Sequence, residues 1–226
     1  ADNSFDSTKE KKDQKERVAP WRLLPEPLLT LWWVMHDGVT SLAELRNVVF
    51  NVVSILTGTG YASADYMLWG GLPVTVLFFV GLIGGCAGST SCSIKVFRYQ
   101  LLFASIKAQL RKIHSPNGIF TPRYEGRSID EDVLNSVMSF FVFFIVTLGL
   151  LAVLLGLTGL DFVTSLSGAS AALANIGPGL GDQIGPAGNF AGLNDSAKWL
   201  LAAAMLIGRL ELMVVYAILT MRFWRV

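Results

Sequence analysis

Charge is scarce in these 226 residues: Asp, Glu, Lys and Arg together make up 15%, against 52% apolar residues and a mean hydropathy of +0.51. So little charge excludes an ordinary soluble domain and points to an integral membrane protein. A formal net charge of +1 gives no general pull on nucleic acid. The two cysteines, Cys86 and Cys92, are too few for a disulfide framework and fall inside an apolar segment. The two histidines, His36 and His114, lie far apart and provide no transition-metal donor set. A signal peptide is not expected, since the N-terminus lacks a short apolar core and a small-residue cleavage site. Clean membrane-length runs are also few, and only Val133 to Thr158 reads as a complete spanning helix.

Glycine and threonine, by contrast, are placed where hydrocarbon is expected. Thr57-Gly58-Thr59-Gly60-Tyr61-Ala62 ends a short helix, Leu42–Leu56, that Thr40-Ser41-Leu42-Ala43-Glu44 opens with Ser41 and Glu44 spaced as a capping box. About 15 residues of helix reach roughly 22 Å, short of a crossing. A weaker echo, Ala174-Asn175-Ile176-Gly177-Pro178-Gly179, ends the short helix Phe162–Ala174, for which Asp161 is the expected N-cap. Irregular backbone at membrane depth is tolerated where it lines a polar cavity, and rings of backbone carbonyls there can replace water around an ion. A short helix ending at mid-membrane also points its partial negative end at a cation. For one such stretch alone a tight turn between helices is the favoured reading. Two in corresponding places favour the cavity.

The rest of the chain fits around these stretches. Residues 1–20 form a polar tail, followed by a short apolar piece from Trp21 to Met35 that resembles the end of a truncated helix, so the chain is expected to be a fragment. The helix Met67–Ile83 stops at ten small residues, Gly84-Gly85-Cys86-Ala87-Gly88-Ser89-Thr90-Ser91-Cys92-Ser93. These read as close helix packing, as an anion nest with Lys95, or, best for their position, as a flexible loop beneath a pore. An amphipathic basic helix, Ile94–Ile113, leads to a connector at residues 114–132. A last spanning helix, Ser196–Trp224, carries Arg209 and Glu211.

Placing Gly60 on Gly177, an offset of 117, also places Glu44 on Asp161 and Leu56 on Leu173. Leu82-Ile83-Gly84-Gly85 matches Leu206-Ile207-Gly208-Arg209 at an offset of 124. The expected fold is therefore all-α and integral to the membrane. It contains two repeats of helix, pore helix, filter and helix, at residues 21–113 and 133–226, with the second helix of the earlier repeat broken by the loop. From Ile94 to Arg127 there are seven basic residues against one acid, whereas Asp37, Glu44, Asp65, Asp161, Asp182 and Asp195 crowd the filter side. The positive-inside rule then puts the connector and both termini in the cytoplasm and the filters toward the outside.

Three function classes compete at this point. One is a cation pore, and another is a secondary transporter built on broken helices, whose inverted repeats fit poorly with two repeats running the same way. The third, an intramembrane enzyme using Glu211 or Asp161, lacks a nucleophile or metal at useful spacing. Arg209 with Glu211 also reads as a buried structural pair.

Taken together, the 57–62 stretch, the 84–91 small-residue run, Ile94-Lys95, Asn175-Ile176-Gly177-Pro178-Gly179 and Gly208-Arg209-Leu210-Glu211 closely resemble the Trk/Ktr/HKT potassium uptake family of bacterial inner membranes. The resemblance runs from about Ser41 to the C-terminus. It implies four repeats around one potassium-conducting pore, of which this chain carries the third and fourth. It further implies that Gly60 and Gly177 are filter glycines, with carbonyls of Gly58, Thr59, Asn175 and Ile176 beside them. An intramembrane gate at Gly84, Gly85, Gly88, Ser89, Thr90 and Ser91, reached by Arg209, is implied as well. Family assembly implies potassium as substrate with no cofactor, a homodimer of the full-length protein in lipid, and a cytosolic nucleotide-binding ring as partner. Cys92-Ser93 depart from the Gly-Gly usual in the family. With two of four filter strands, the chain alone is expected not to conduct.

Overall fold

The computed structural model describes residues 42–85, 93–115, 118, 122–124, 127–210, 212–220 and 224. Their regular structure is helical apart from two bridges of two-residue strands, with irregular backbone between the helices. In chain order the helices are α1 (Leu42–Thr57), α2 (Gly71–Leu82), α3 (Val96–His114), α4 (Glu131–Leu157), α5 (Phe162–Ala174), α6 (Asp195–Arg209) and α7 (Leu212–Leu219). The strands are β1 (Ile83–Gly84) with β2 (Ile94–Lys95) in parallel, and β3 (Arg123–Tyr124) with β4 (Arg127–Ser128) antiparallel.

The chain is built outward from α5. Ten of its thirteen residues are buried, and most of them are Ser, Gly or Ala. Small side chains let neighbouring helices approach closely, which substitutes for a hydrophobic drive inside lipid. Helices α4 and α6 pack along α5, and α2 touches it from the other side. Helix α4, 27 residues long, is the one described helix that alone has the length and apolarity to cross a bilayer. It turns Val137, Phe140, Phe144, Leu151 and Leu155 inward at helical spacing. Its other face exposes Val142, Ile145, Val146, Leu150 and Val153, the pattern expected against hydrocarbon. A second core joins Val48, Val52 and Ile55 of α1 to Leu77 and Val80 of α2, with Tyr66, Ala174 and Ile176.

Two helices differ from the sequence expectation. The apolar run opening at Met67 first makes a 3-10 turn, Tyr66–Trp69, whose N-terminus Asp65 caps by accepting from the Met67 amide at 3.0 Å. Gly70 follows at φ +96°, a conformation open to glycine, and resets the chain direction before α2. The run Ser196–Trp224 is two helices, α6 and α7, and the first ends directly after the charged Arg209. Thr147 Oγ1 of α4 lies 2.8 Å from Tyr216 Oη and ties α7 back to the bundle. Ser41, half of the expected capping box, lies outside the described residues.

Candidate functional site

Helices α1 and α5 end in the same way, 117 residues apart. At the end of α1 the Gly58 amide donates to the Ile55 carbonyl at 3.1 Å and the Thr59 amide to the Ser54 carbonyl at 2.9 Å. At the end of α5 the Asn175 amide donates to Ala172 at 3.2 Å and the Ile176 amide to Ala171 at 3.0 Å. Each pair of bonds stops the helix and turns the chain into an extended strand. The turn requires left-handed backbone, and Gly58 has φ +74° where Asn175 has φ +54°. Asparagine tolerates this conformation better than most residues. Its side chain is also held, with Nδ2 donating to the Met205 carbonyl of α6 at 3.1 Å. Gly60 (φ +76°) and Gly177 (φ +112°) repeat the left-handed step two residues later.

The two strands lie side by side. A Cβ placed on Gly58 would stand 3.9 Å from the Asn175 carbonyl oxygen, its counterpart in the other strand. One placed on Gly60 would fall onto the Ile176 carbonyl oxygen and sit 3.0 Å from Pro178 Cδ. One on Gly177 would come 4.0 Å from Gly60 Cα. Backbone meets backbone with no side chain between, so carbonyl oxygens are the groups on offer. The C-terminal ends of α1 and α5, each with partial negative charge, abut these strands. Such an array suits a monovalent cation stripped of water and supplies neither a nucleophile nor an acid–base pair. Among the described residues no group of three His, Cys, Asp or Glu is placed to hold a metal ion.

Sequence reading passed over what lies behind the strands. Asn51 of α1 is fully buried. Its Oδ1 accepts from the Ser63 amide at 3.0 Å, and its Nδ2 donates to the Asn47 carbonyl at 2.8 Å and to Ser63 Oγ at 3.1 Å. On α5, Ser167 Oγ accepts from the Leu180 amide at 2.9 Å and donates to the Leu180 carbonyl at 3.1 Å. The available signal was an asparagine inside the apolar run Val48-Val49-Phe50-Asn51-Val52-Val53, since a buried amide needs partners. At the start of α5, Asp161 Oδ2 accepts from the Thr164 amide at 3.1 Å. Hydrogen bonds from Thr164 hold this carboxyl below its ordinary value.

Of the expected gate, Gly84 and Gly85 are described and Gly88, Ser89, Thr90 and Ser91 lie outside the described residues. Gly84 pairs with Lys95 in the parallel bridge, and the Gly85 carbonyl accepts from the Val96 amide at 3.3 Å. Residues 83–85 and 94–96 are therefore held side by side. Ser93 anchors this loop base, with its Oγ donating to the Gly81 carbonyl at 2.9 Å and its amide to the Ala174 carbonyl at 3.4 Å. Arg209 closes α6 with an exposed side chain. Its neighbour Gly208 packs so closely on α5 that a Cβ would fall onto the Leu173 carbonyl oxygen. The loop base and the end of α6 thus meet the same last turn of α5.

Apolar helices packed through small residues, with two helix ends opened onto bare backbone, make up a membrane transporter. The chain belongs to the TrkH family, described as cation transport protein, which it matches over residues 28–222. It is 48% identical over 197 residues to the Trk system potassium uptake protein TrkI of Halomonas elongata, covering 87% of this chain and 40% of that protein. It is 35% identical over 203 residues to the Trk system potassium uptake protein TrkH of Escherichia coli, with 87% and 40% covered. The crystal structure of the potassium transporter TrkH from Vibrio parahaemolyticus superposes with a TM-score of 0.81 at 32% identity, over 88% of this chain and 42% of that one. The chain therefore spans about 40% of the length of the curated relatives it matches.

Proposed function

We propose that this chain forms half of the pore of a potassium uptake protein, its third and fourth repeats, and passes potassium inward through a backbone-carbonyl filter. The carbonyls of Gly58, Thr59, Gly60, Asn175, Ile176 and Gly177 replace the water around the ion. The observation that carries this reading is the matched pair of helix endings: the same two hydrogen bonds and the same two left-handed steps recur at an offset of 117, and the strands stand in backbone contact. The similarity to TrkI and TrkH, both potassium uptake proteins, supports potassium as the substrate.

The repeats are read as residues 21–113 and 133–226, joined by a cytoplasmic connector at 114–132, with both termini also cytoplasmic and the filters facing outward. The sorting of charge supports that orientation. Gly84, Gly85, Gly88, Ser89, Thr90, Ser91 and Arg209 are read as the gate, a reading that the convergence of loop base and α6 on α5 supports. The remaining repeats, a second copy of the whole protein and a cytosolic nucleotide-binding ring complete the proposed assembly.

The test is replacement of Gly60 or Gly177 with Ser in the intact protein, with potassium uptake and potassium-over-sodium preference measured. Both variants are expected to lose preference. Unchanged preference in both overturns the filter.

A further inference from the structure

Resting on the filter reading above, we propose that Asn51 and Ser167 are positioning residues that clamp the outer ends of the two filter strands and thereby set how sharply the pore discriminates between cations. Each strand is anchored where it begins by the carbonyls of its own pore helix, at Ser54 and Ile55 or at Ala171 and Ala172. Its far end needs a second anchor, because a strand of this kind has no partner strand in a sheet.

The clamps provide that anchor at equivalent positions. Ser63 lies three residues beyond Gly60, and Leu180 three beyond Gly177, so both amides fall at the offset of 117. Each is taken by a buried side chain one to two turns back along the pore helix, Asn51 at 3.0 Å and Ser167 at 2.9 Å. The two side chains differ in length and chemistry and do not occupy equivalent helix positions, yet they hold the same backbone group. Asn51 is in turn fixed by its own bonds to the Asn47 carbonyl and Ser63 Oγ, and Ser63 Oγ donates to Asn47 Oδ1 at 3.3 Å. Both side chains are almost wholly enclosed, with Asn51 at 0% and Ser167 at 3% exposure, so neither can trade its protein partner for water at low cost.

The strand also has somewhere to go if released. A half-open space of about 30 Å³ borders the second strand, lined by Ile176, Leu180 and Ser167 together with Ile55, Gly81 and Ser170. A strand tied at both ends spans this space without entering it. A strand tied only at its start can bow backward, which widens the carbonyl ring so that it replaces the water around potassium less well and lets sodium pass with part of its own water. Discrimination then falls before conduction does.

The experiment uses the intact transporter in a potassium-requiring strain, with potassium and sodium uptake measured against the amount of protein in the membrane. Ser167→Ala keeps nearly the same volume and removes only the hydroxyl; Asn51→Leu removes the other clamp; Gly60→Ser and Gly177→Ser serve as the filter references. Ser167→Ala is expected to lower potassium-over-sodium preference about tenfold at unchanged protein level, the scale of one lost hydrogen bond. Asn51→Leu is expected to do the same, and where it fails to accumulate, Ser167→Ala decides alone. A proportional loss of both cations, or unchanged preference in Ser167→Ala while either filter reference shifts it, overturns the clamp and leaves the filter standing. If Gly60→Ser and Gly177→Ser both leave preference unchanged, the filter reading fails and the clamp with it.

Discussion

Ser93 and Ala174 are 81 residues apart in sequence and joined by the Ser93 amide, which donates to the Ala174 carbonyl at 3.4 Å, while the Ser93 hydroxyl, donating to Gly81, lies 3.5 Å from the same carbonyl. Ala174 is the last residue of α5, and the next residue, Asn175, opens the second strand. The base of the small-residue loop is therefore fastened to the point where the candidate filter starts.

Removing the Ser93 hydroxyl tests that fastening. Ser93→Ala is expected to destabilise the intact protein by about 1 kcal/mol, the net worth of a hydrogen bond, since the Gly81 carbonyl loses its donor. Thermal unfolding in detergent checks the stability, and potassium flux, expected to rise, checks the link to the loop.

The two glycines of the first strand are expected to separate. Gly60→Ala drives a methyl group onto the Ile176 carbonyl and should cut uptake steeply and erase its potassium-over-sodium preference. Gly58→Ala has 3.9 Å of room and suffers only left-handed strain of about 1–2 kcal/mol, so part of the uptake should remain. Equal loss in both would show that strain, and not the contact between strands, governs the site.

Gly208→Ala should cost far more than Gly149→Ala. The first places a Cβ against the Leu173 carbonyl, whereas the second, in α4, meets nothing within 4 Å. A melting temperature unchanged or raised is expected for Gly149→Ala, because alanine is the better helix former by about 1 kcal/mol. A clear drop is expected for Gly208→Ala, with overpacking of about 1–3 kcal/mol.

The cap at Asp161 gives a pH signature. Its carboxyl is depressed in the folded state, so its contribution is present above the ordinary value of 3.8 and is lost as pH falls through the folded value. Asp161→Ala should cost about 1 kcal/mol at neutral pH, and the difference from the unmodified protein should shrink only below about pH 4. Asp161→Asn, which still accepts the Thr164 amide, should lie close to the parent. Unfolding followed by fluorescence from pH 7 down to 3 would check both.

Much of this arrangement was legible in the sequence, for a physical reason that can be named. Phe162–Ala174 ends where a glycine-rich stretch begins and starts after a capping Asp, so both of its bounds were readable from local chemistry. The clamps were not legible. Asn51 reaches Ser63 across twelve residues and Ser167 reaches Leu180 across thirteen, and no local rule pairs an asparagine with one amide and a serine with another. The break at Leu210 was hidden because apolar periodicity continues across it, and the charged Arg209 reads equally well as a residue inside a continuous helix. Loop contacts such as Ser93 with Ala174 join the two halves and leave no trace in either half alone.

Helix α5 has a consequence for how such a chain can change over time. Its burial on nearly every side, by neighbours that already touch its backbone, leaves no direction in which a larger side chain could point. Helix α1 does the corresponding work at the first strand with Leu42, Val49, Phe50 and Val53 turned away from the rest of this chain. Two segments with the same task therefore stand under unequal constraint. Substitutions should accumulate in α1 and be purged from α5, so that the halves drift apart in sequence while their helix ends stay alike.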